Sequence, residues 1–424
     1  MATETIQAVK GTRDFYPEIM AFRSWLYDKV RSVSRRFGYE EYEAPVLERL
    51  ELYAAKSGEE LVKEQSFILT DRGGDELALR PELTPSLARM VAQRQASLVL
   101  PLRWFSFGPF WRYERPQRGR TREFFQWNID LLGVESPTAD GEIVSVCAEF
   151  FRSLGLGPED VVIRINNRRL MEEKLAEMGV GEELWVQVFR LIDRRDRMPA
   201  GKWHAWALDV GLAEGQLDAL ETLLRNPDLW QESEELRQVF ATARAFGVVD
   251  YLTYDAGIVR GLDYYTGPVF EAHDREGYFR AILGGGRYDD LVADVGGDRL
   301  TGVGFAMGDV ILELLLDRVG KRPDLPVTPS DVLVTLFDEE LYDETVALAG
   351  RLREAGINAE QVLEADRLGK QLRYADRKEI PYVVILGPDE LTAGQVMLKD
   401  MITGEQEAYS PDALIERLRV ARSK

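Results

Sequence analysis

The chemistry this chain could do is concentrated between Trp111 and Gly133, WRYERPQRGRTREFFQWNIDLLG. Arg115, Arg118 and Arg120 crowd a turn around Gly119. Planar guanidinium forks grip phosphate oxygens bidentately, where a lysine offers only a point charge. Side-chain alternation puts Phe110, Arg112 and Glu114 on one face of a strand entering that turn, opposite Trp111 and Tyr113. Leaving it, Phe124, Gln126, Asn128 and Asp130 share one face of a second strand, with Phe125, Trp127 and Ile129 on the other. One surface thus offers a cation, a ring, amides and a carboxylate beside a phosphate-binding tip. A solvated, arginine-rich hairpin is the plain alternative, but it would not separate Gln, Asn and Asp from Phe, Trp and Ile. A nucleotide or nucleic-acid site accounts for the pattern better.

Two further stretches carry groups of the same kind. In SFILTDRGGDELALRPELTPSLARMV, a hairpin of Phe67–Thr70 and Glu76–Leu79 turns at DRGG, and Arg80, Glu82 and Thr84 follow at a strand-to-helix junction. Glu82 suits the positive end of that helix as well as it suits a ligand. In YDAGIVRGLDYYTGPVFEA, Arg260 precedes the turn residues Gly261 and Asp263 and the pair Tyr264 and Tyr265. GGGRYDDL, Gly284 to Leu291, opens with three glycines that admit a close ligand or a tight turn.

Composition narrows the classes. With 53 basic and 73 acidic residues the net charge is −20, which argues against general nucleic-acid affinity but leaves room for a local basic patch. His204 and His273 are the only histidines and neither has a ligand set nearby, so structural roles and no resident metal are expected. The single Cys147, in the apolar run IVSVCAEFF, excludes an internal disulfide and a thiolate zinc cage and reads as packing. No apolar run is long enough to cross a bilayer and the N-terminus lacks a signal-peptide core, so a cytoplasmic protein without a membrane partner is expected.

The elements that must position these groups can be read at coarse grain. At 424 residues, two or three domains are expected. A helix runs roughly from Ala21 to Phe37 on the stripe Phe22, Trp25, Leu26, Val30 and Val33, and YEEYEAPVLE reads as an alternating strand broken at Pro45. GEIVSVCAEFFRSLG is an amphipathic helix and VVIRINN a strand; residues 169–247 are charged and helical, an insertion. TGVGFAMGDVILELLL, Thr301 to Leu316, is a glycine-rich strand running into an apolar helix. After the Pro-rich linker GKRPDLPVTPS the pattern becomes α/β, with Lys370, Arg373 and Arg377 on GKQLRYADR.

The run RYERPQRGRTREFFQ resembles motif 2 of class II aminoacyl-tRNA synthetases, specifically the histidyl-tRNA synthetase family. RGLDYYTG resembles the first histidine-specific motif of that family and GGGRYDDL the second, with Asp290 where Gly is usual. The helix, strand and Pro45 resemble motif 1, the dimer-forming element, and Thr301 to Leu316 corresponds to motif 3. The resemblance covers nearly the whole chain, with the motifs in family order. It implies an α+β catalytic domain with an antiparallel sheet (1–325), a helical insertion (169–247) near the tRNA acceptor arm, and a C-terminal α/β anticodon-binding domain (326–424). It implies ATP-dependent ligation of L-histidine to histidine tRNA through a histidyl-adenylate, with Mg²⁺, by a homodimer.

Carried over residue by residue, the resemblance implies that Glu82, Thr84 and Gln126 hold the substrate ammonium, although Leu83 and Pro85 replace the small residues usual around that Thr. Asp130 and Tyr265 would hydrogen-bond the imidazole, with Tyr264 lining the pocket. Arg112 and Arg260 would meet the α-phosphate and act in catalysis. Phe124 would stack on adenine with Glu114 at its amino edge, and Arg120 and Arg122 would serve the other phosphates or the tRNA end. Arg115, Gln117 and Arg118 would meet the tRNA. Motif 3 departs: the family usually has an arginine opening its helix to hold the γ-phosphate, and Ile311 stands there. That departure favours a rival, the noncatalytic histidine-sensing regulatory subunit of ATP phosphoribosyltransferase. The intact RGLDYY, GGGRYD and motif 2 loop, with the anticodon-like domain, favour the enzyme.

Overall fold

The computed structural model describes residues 5–54, 65–259, 264–326 and 328–422. Arg260, with the turn residues Gly261 and Asp263, lies outside them. The chain divides into two compact units, 1–14 with 26–322 and 15–25 with 323–424.

Among the described residues the larger unit is built on an eight-stranded sheet. Its strands are β1 Glu40–Glu41, β2 Leu102–Trp111, β3 Glu123–Leu132, β4 Val161–Asn167, β5 Leu252–Tyr254, β6 Pro268–Asp274, β7 Leu283–Tyr288 and β8 Gly302–Gly308. Their order is β1-β2-β3-β8-β7-β6-β4-β5, antiparallel except for the outer pairs β1/β2 and β4/β5. β3 is central, paired along its length with β2 on one side and β8 on the other. Its alternation divides two environments. Trp127 packs on Phe150 of helix Thr138–Ser153 (centroids 4.8 Å apart) and on Phe305, while Gln126, Asn128 and Asp130 point to the other side.

The hairpin differs from its sequence reading in one respect. Its first strand runs Leu102–Trp111 and ends there, opposite Glu123, so Arg112, Tyr113 and Glu114 lie beyond it. Beyond Trp111 the ladder is drawn apart, because Tyr113 N–H donates to the Gln65 carbonyl and the Arg112 guanidinium to the Pro81 carbonyl. One bond, Arg112 N–H to the Arg122 carbonyl, keeps the loop's neck closed. The YEEYEAPVLE reading also needs correction. It forms two short strands in different sheets, β1 and Leu47–Arg49, with Pro45, which has no N–H to give a ladder, between them. Leu47–Arg49 joins Glu76–Leu79 and Phe67–Thr70 in a three-stranded sheet. The first helix spans Pro17–Arg36, a turn earlier at its start than the apolar stripe suggests.

Between β4 and β5 the chain is helical, from Arg168–Glu177 to Glu234–Ala245. The smaller unit contains a five-stranded sheet with order Ala359–Gln361, Val332–Val334, Tyr382–Ile385, Val396–Asp400, Gln406–Tyr409, its first three strands parallel. Val332, Val334, Leu352, Val384 and Leu414 form its core. On helix Leu368–Arg377 the buried Gln371 and Ala375 face inward, which leaves Lys370, Arg373 and Arg377 exposed.

Candidate active site

Two joined cavities open on the polar face of β3. The smaller, about 370 Å³, holds Glu82, Thr84, Gln126, Asp130, Tyr264 and Tyr265 on its walls. The turn Leu83 and helix Thr84–Arg94 set the first two, and Pro85, Leu87, Ala88 and Val91 sink into the core to fix them. Leu83 and Pro85 therefore point away from the substrate side and contribute packing. Glu82 does more than face the helix terminus: it is buried at 4% exposure and accepts a long hydrogen bond, 3.4 Å, from the Tyr264 hydroxyl. Tyr264 meets Tyr265 edge-on at 5.1 Å, and burial raises both phenols' pKa values, so they stay neutral donors.

Asp130 is a strongly perturbed carboxyl on the wall of the smaller cavity. Burial pushes it up to about 7, and the Tyr288 hydroxyl, donating at 2.7 Å, pulls the other way. A buried carboxyl with one fixed donor keeps capacity for a second hydrogen bond on the cavity side. β8 makes the room. Gly304 pairs with Asp130, and a Cβ there would lie 2.2 Å from Asp130 Oδ1 and 2.5 Å from the Ile129 carbonyl. A Cβ on Gly285 would meet the Gly304 carbonyl at 2.4 Å. The glycines of GGGRYDDL and TGVGF thus serve close strand approach rather than a turn. The rest of GGGRYDDL anchors it: Arg287 grips the buried Asp140 of helix Thr138–Ser153, and Asp289 accepts from Thr266 and Thr301 at 2.7 and 2.6 Å. Asp290 sits at the surface, paired with Arg299.

The larger cavity, about 1030 Å³, continues from the first and shares Arg112, Gln126, Glu271, Gly284 and Ala306 with it. Arg112 lies over the Phe124 ring at 5.4 Å, and Phe124 is stacked on Phe110 at 5.9 Å, so ring and guanidinium are held by one pile. Glu114 pairs with Arg120 at 3.2 Å, and Gln117 and Arg118 complete the loop's edge of the cavity. Gly119 turns the loop with φ +79, a conformation that favours glycine.

Not every arginine of the hairpin comes here. Arg122 is not on the cavity wall: it lies over Tyr113 at 4.2 Å and donates to the Glu114 carbonyl. Arg115 is exposed at the tip. Ile311 does line the cavity, its methyl end against Gly119. Asp309 turns inward instead, accepting from Phe125 N–H at 3.0 Å and from Arg13 at 2.7 Å.

Sequence reasoning missed Tyr288, Glu271, His273 and Arg280. His273 is paired with Glu271 at 2.9 Å in β6 and faces the larger cavity, whereas His204 pairs with Glu214 in the helical segment. The alternation in VFEAH, which puts Glu271 and His273 on one face, is a signal that would have found that pair. Nothing local in sequence ties Tyr288 to Asp130, since two strand pairings, β3 with β8 and β8 with β7, relate them.

The family model for histidyl-tRNA synthetase matches residues 11–309, and that for the anticodon-binding domain residues 330–420. The chain is 39% identical over 94% of its length to the chloroplastic/mitochondrial histidine–tRNA ligase of Arabidopsis thaliana, covering 83% of that protein. It is 35% identical to the histidine–tRNA ligase of Leptospira biflexa over 99% of both. Its structure resembles that of a histidyl-tRNA synthetase from Nostoc with a TM-score of 0.85 at 27% identity, covering 99% of this chain and 100% of that one.

Proposed function

The chain belongs to the histidyl-tRNA synthetase family, and from that premise we infer that it joins L-histidine to its tRNA with ATP as the energy source. The observation that carries the residue-level reading is the pair of cavities meeting at Arg112 and Gln126. An amino acid in the smaller would present its carboxylate to the α-phosphate of ATP in the larger. Carboxylate oxygen attacks the α-phosphorus, the bond to the bridging oxygen breaks, and pyrophosphate leaves. A ribose hydroxyl of the tRNA end then attacks the acyl carbon, losing its proton, and AMP leaves. Both steps need alignment and fixed positive charge more than a strong base.

In this reading Glu82, Thr84 and Gln126 take the ammonium, and Asp130 and Tyr265 the imidazole beside Tyr264. Leaving Asp130 without a donor would be costly, and that discriminates against apolar amino acids. Arg112 and Arg260 act on the α-phosphate, Phe124 stacks on adenine with Glu114 at its edge, and Arg120 serves the outer phosphates. Arg122, off the wall, supports the loop. The exposed loop edge of Arg115, Gln117 and Arg118, and Lys370, Arg373 and Arg377 of the C-terminal unit, are the cationic surfaces for tRNA.

Among the described residues no three or more His, Cys, Asp or Glu side chains form a metal-binding group. The donor set fits Mg²⁺ carried by the phosphates and water, with Glu114, Asp196 and Glu271 the carboxylates on the cavity wall. When bound, the ion neutralises phosphate charge. We assign 1–325 to catalysis, 169–247 to the insertion and 326–424 to anticodon binding. The exposed Leu47, Ile68 and Leu69 of the three-stranded sheet support a homodimer. No described helix is long and apolar enough to cross a membrane; the cytoplasmic location is inferred from the family alone.

The rival, a histidine-sensing regulatory subunit, has Ile311 in its favour. The ligase relatives matched over nearly their full lengths and the anticodon-binding domain weigh against it. Histidine-dependent ATP–pyrophosphate exchange, then charging of histidine tRNA, decides between them. Exchange and charging are expected; histidine binding with no exchange would leave the regulator.

A further inference from the structure

The larger cavity must hold the outer phosphates of ATP and release pyrophosphate, so its far wall needs positive charge. The helix that forms one side, Asp309–Arg318, turns the apolar Val310 and Ile311 into the cavity at its start. Ile311 ends at Gly119; its Cδ1 lies 2.6 Å from where a Cβ on that glycine would stand. A guanidinium from the turn between β6 and β7 reaches the same glycine. Arg280 donates from Nη2 to the Gly119 carbonyl at 2.8 Å and lines the same cavity.

The turn that carries Arg280 is firmly built. Asp274 accepts from the backbone N–H groups of Tyr278 and Phe279 at 2.7 and 2.9 Å, and Ile282 N–H closes onto the Ala272 carbonyl at 2.7 Å. Arg318 lies over the Tyr278 ring beside it. A guanidinium's five donors fan out in a plane, so one head can hold a carbonyl and a phosphate together.

We propose that Arg280 binds the outer phosphates of ATP and the departing pyrophosphate, the charge that position 311 does not supply, and couples their arrival to the Gly119 turn. This rests on the ligase reading above, and exchange by the unaltered protein tests that reading separately.

The experiment measures histidine-dependent exchange in the full chain, varying ATP and histidine independently. Arg280→Ala should lower kcat/KM for ATP by roughly ten- to a hundredfold, the loss of a hydrogen bond between charged groups. The histidine KM should stay within about threefold. Placing a guanidinium at position 311 instead, in Arg280→Ala with Ile311→Arg, should recover about tenfold of the loss. Inorganic pyrophosphate should inhibit Arg280→Ala more weakly in the same proportion. If the alanine variant does not fold, Arg280→Lys replaces it, with a smaller ATP-specific loss expected because lysine lacks the fork. Unchanged ATP parameters overturn the proposal. So does a matched loss for ATP and histidine that Ile311→Arg fails to recover, which would make Arg280 only a brace for the loop.

Discussion

Replacing Asp130 by Asn should stabilise the ligand-free protein above neutral pH while crippling its use of histidine. The carboxyl rises from an ordinary 3.8 to about 7 because burial penalises its charge more than Tyr288 favours it. Between those pH values the folded chain keeps a proton that the unfolded chain releases. Folded stability therefore falls as pH rises through that window, and the loss is complete above about pH 7. A gap of roughly three pH units in this buried carboxyl corresponds to a cost of about 4 kcal/mol at pH 8. An asparagine carries no charge there and its carbonyl can still accept from Tyr288. The difference in unfolding free energy, Asn variant minus wild type, should thus be small at pH 4 and grow toward pH 8. Asp140, also raised by burial to about 6, is common to both proteins and cancels. Denaturant unfolding across pH 4–8 with no histidine present measures this, and kinetics on the same samples should show a histidine KM raised about tenfold or more. A difference that does not change with pH would refute the reasoning, as would a wild type that gains on the variant as pH rises.

Gly304→Ala should raise the histidine KM by roughly tenfold and lower stability by about 1–3 kcal/mol, because its Cβ meets both the Asp130 carboxylate and the Ile129 carbonyl; unchanged KM would show that the strands can part. Phe124→Ala should raise the ATP KM by about tenfold with little change in the histidine KM, read by varying each substrate in exchange assays, and an equal effect on both would deny it an adenine-stacking role. Arg122→Ala should cost about 1 kcal/mol of stability and leave the ATP KM within about threefold, since its guanidinium covers Tyr113 off the cavity wall; a large ATP-specific loss would bring it back to the phosphates.

How much of this could be read in advance depended on whether a signal was local. Gln126, Asn128 and Asp130 announced their shared face because a strand alternates with a period of two, and β3 keeps an unbroken register with β2 along its length. Glu82 and Thr84 could be set at a junction for similar reasons. The end of β2 at Trp111 was missed because Trp111 and Tyr113 continue the alternation past the point where tertiary bonds to Gln65 and Pro81 end the ladder. Which arginines face the cavity could not be read from RPQRGRT, since the loop's path is set by Gly119, Ile311 and Arg280 from three separate segments. Tyr288 and Asp130 lie 158 residues apart, and only the β3-β8-β7 register brings them together.

Where β8 passes Asp130 the wall is main chain, where most binding pockets have side chains, because Gly304 faces the carboxylate. Backbone cannot be trimmed by substitution, so point mutation has no means of enlarging this side of the chamber for a bulkier amino acid. Every replacement of Gly285 or Gly304 only adds atoms. Drift toward a new substrate, in evolution or in the laboratory, is therefore channelled to the other walls, to Thr84, Tyr264 and Tyr265. A library that leaves the glycines alone and varies those three would search the accessible part of specificity space.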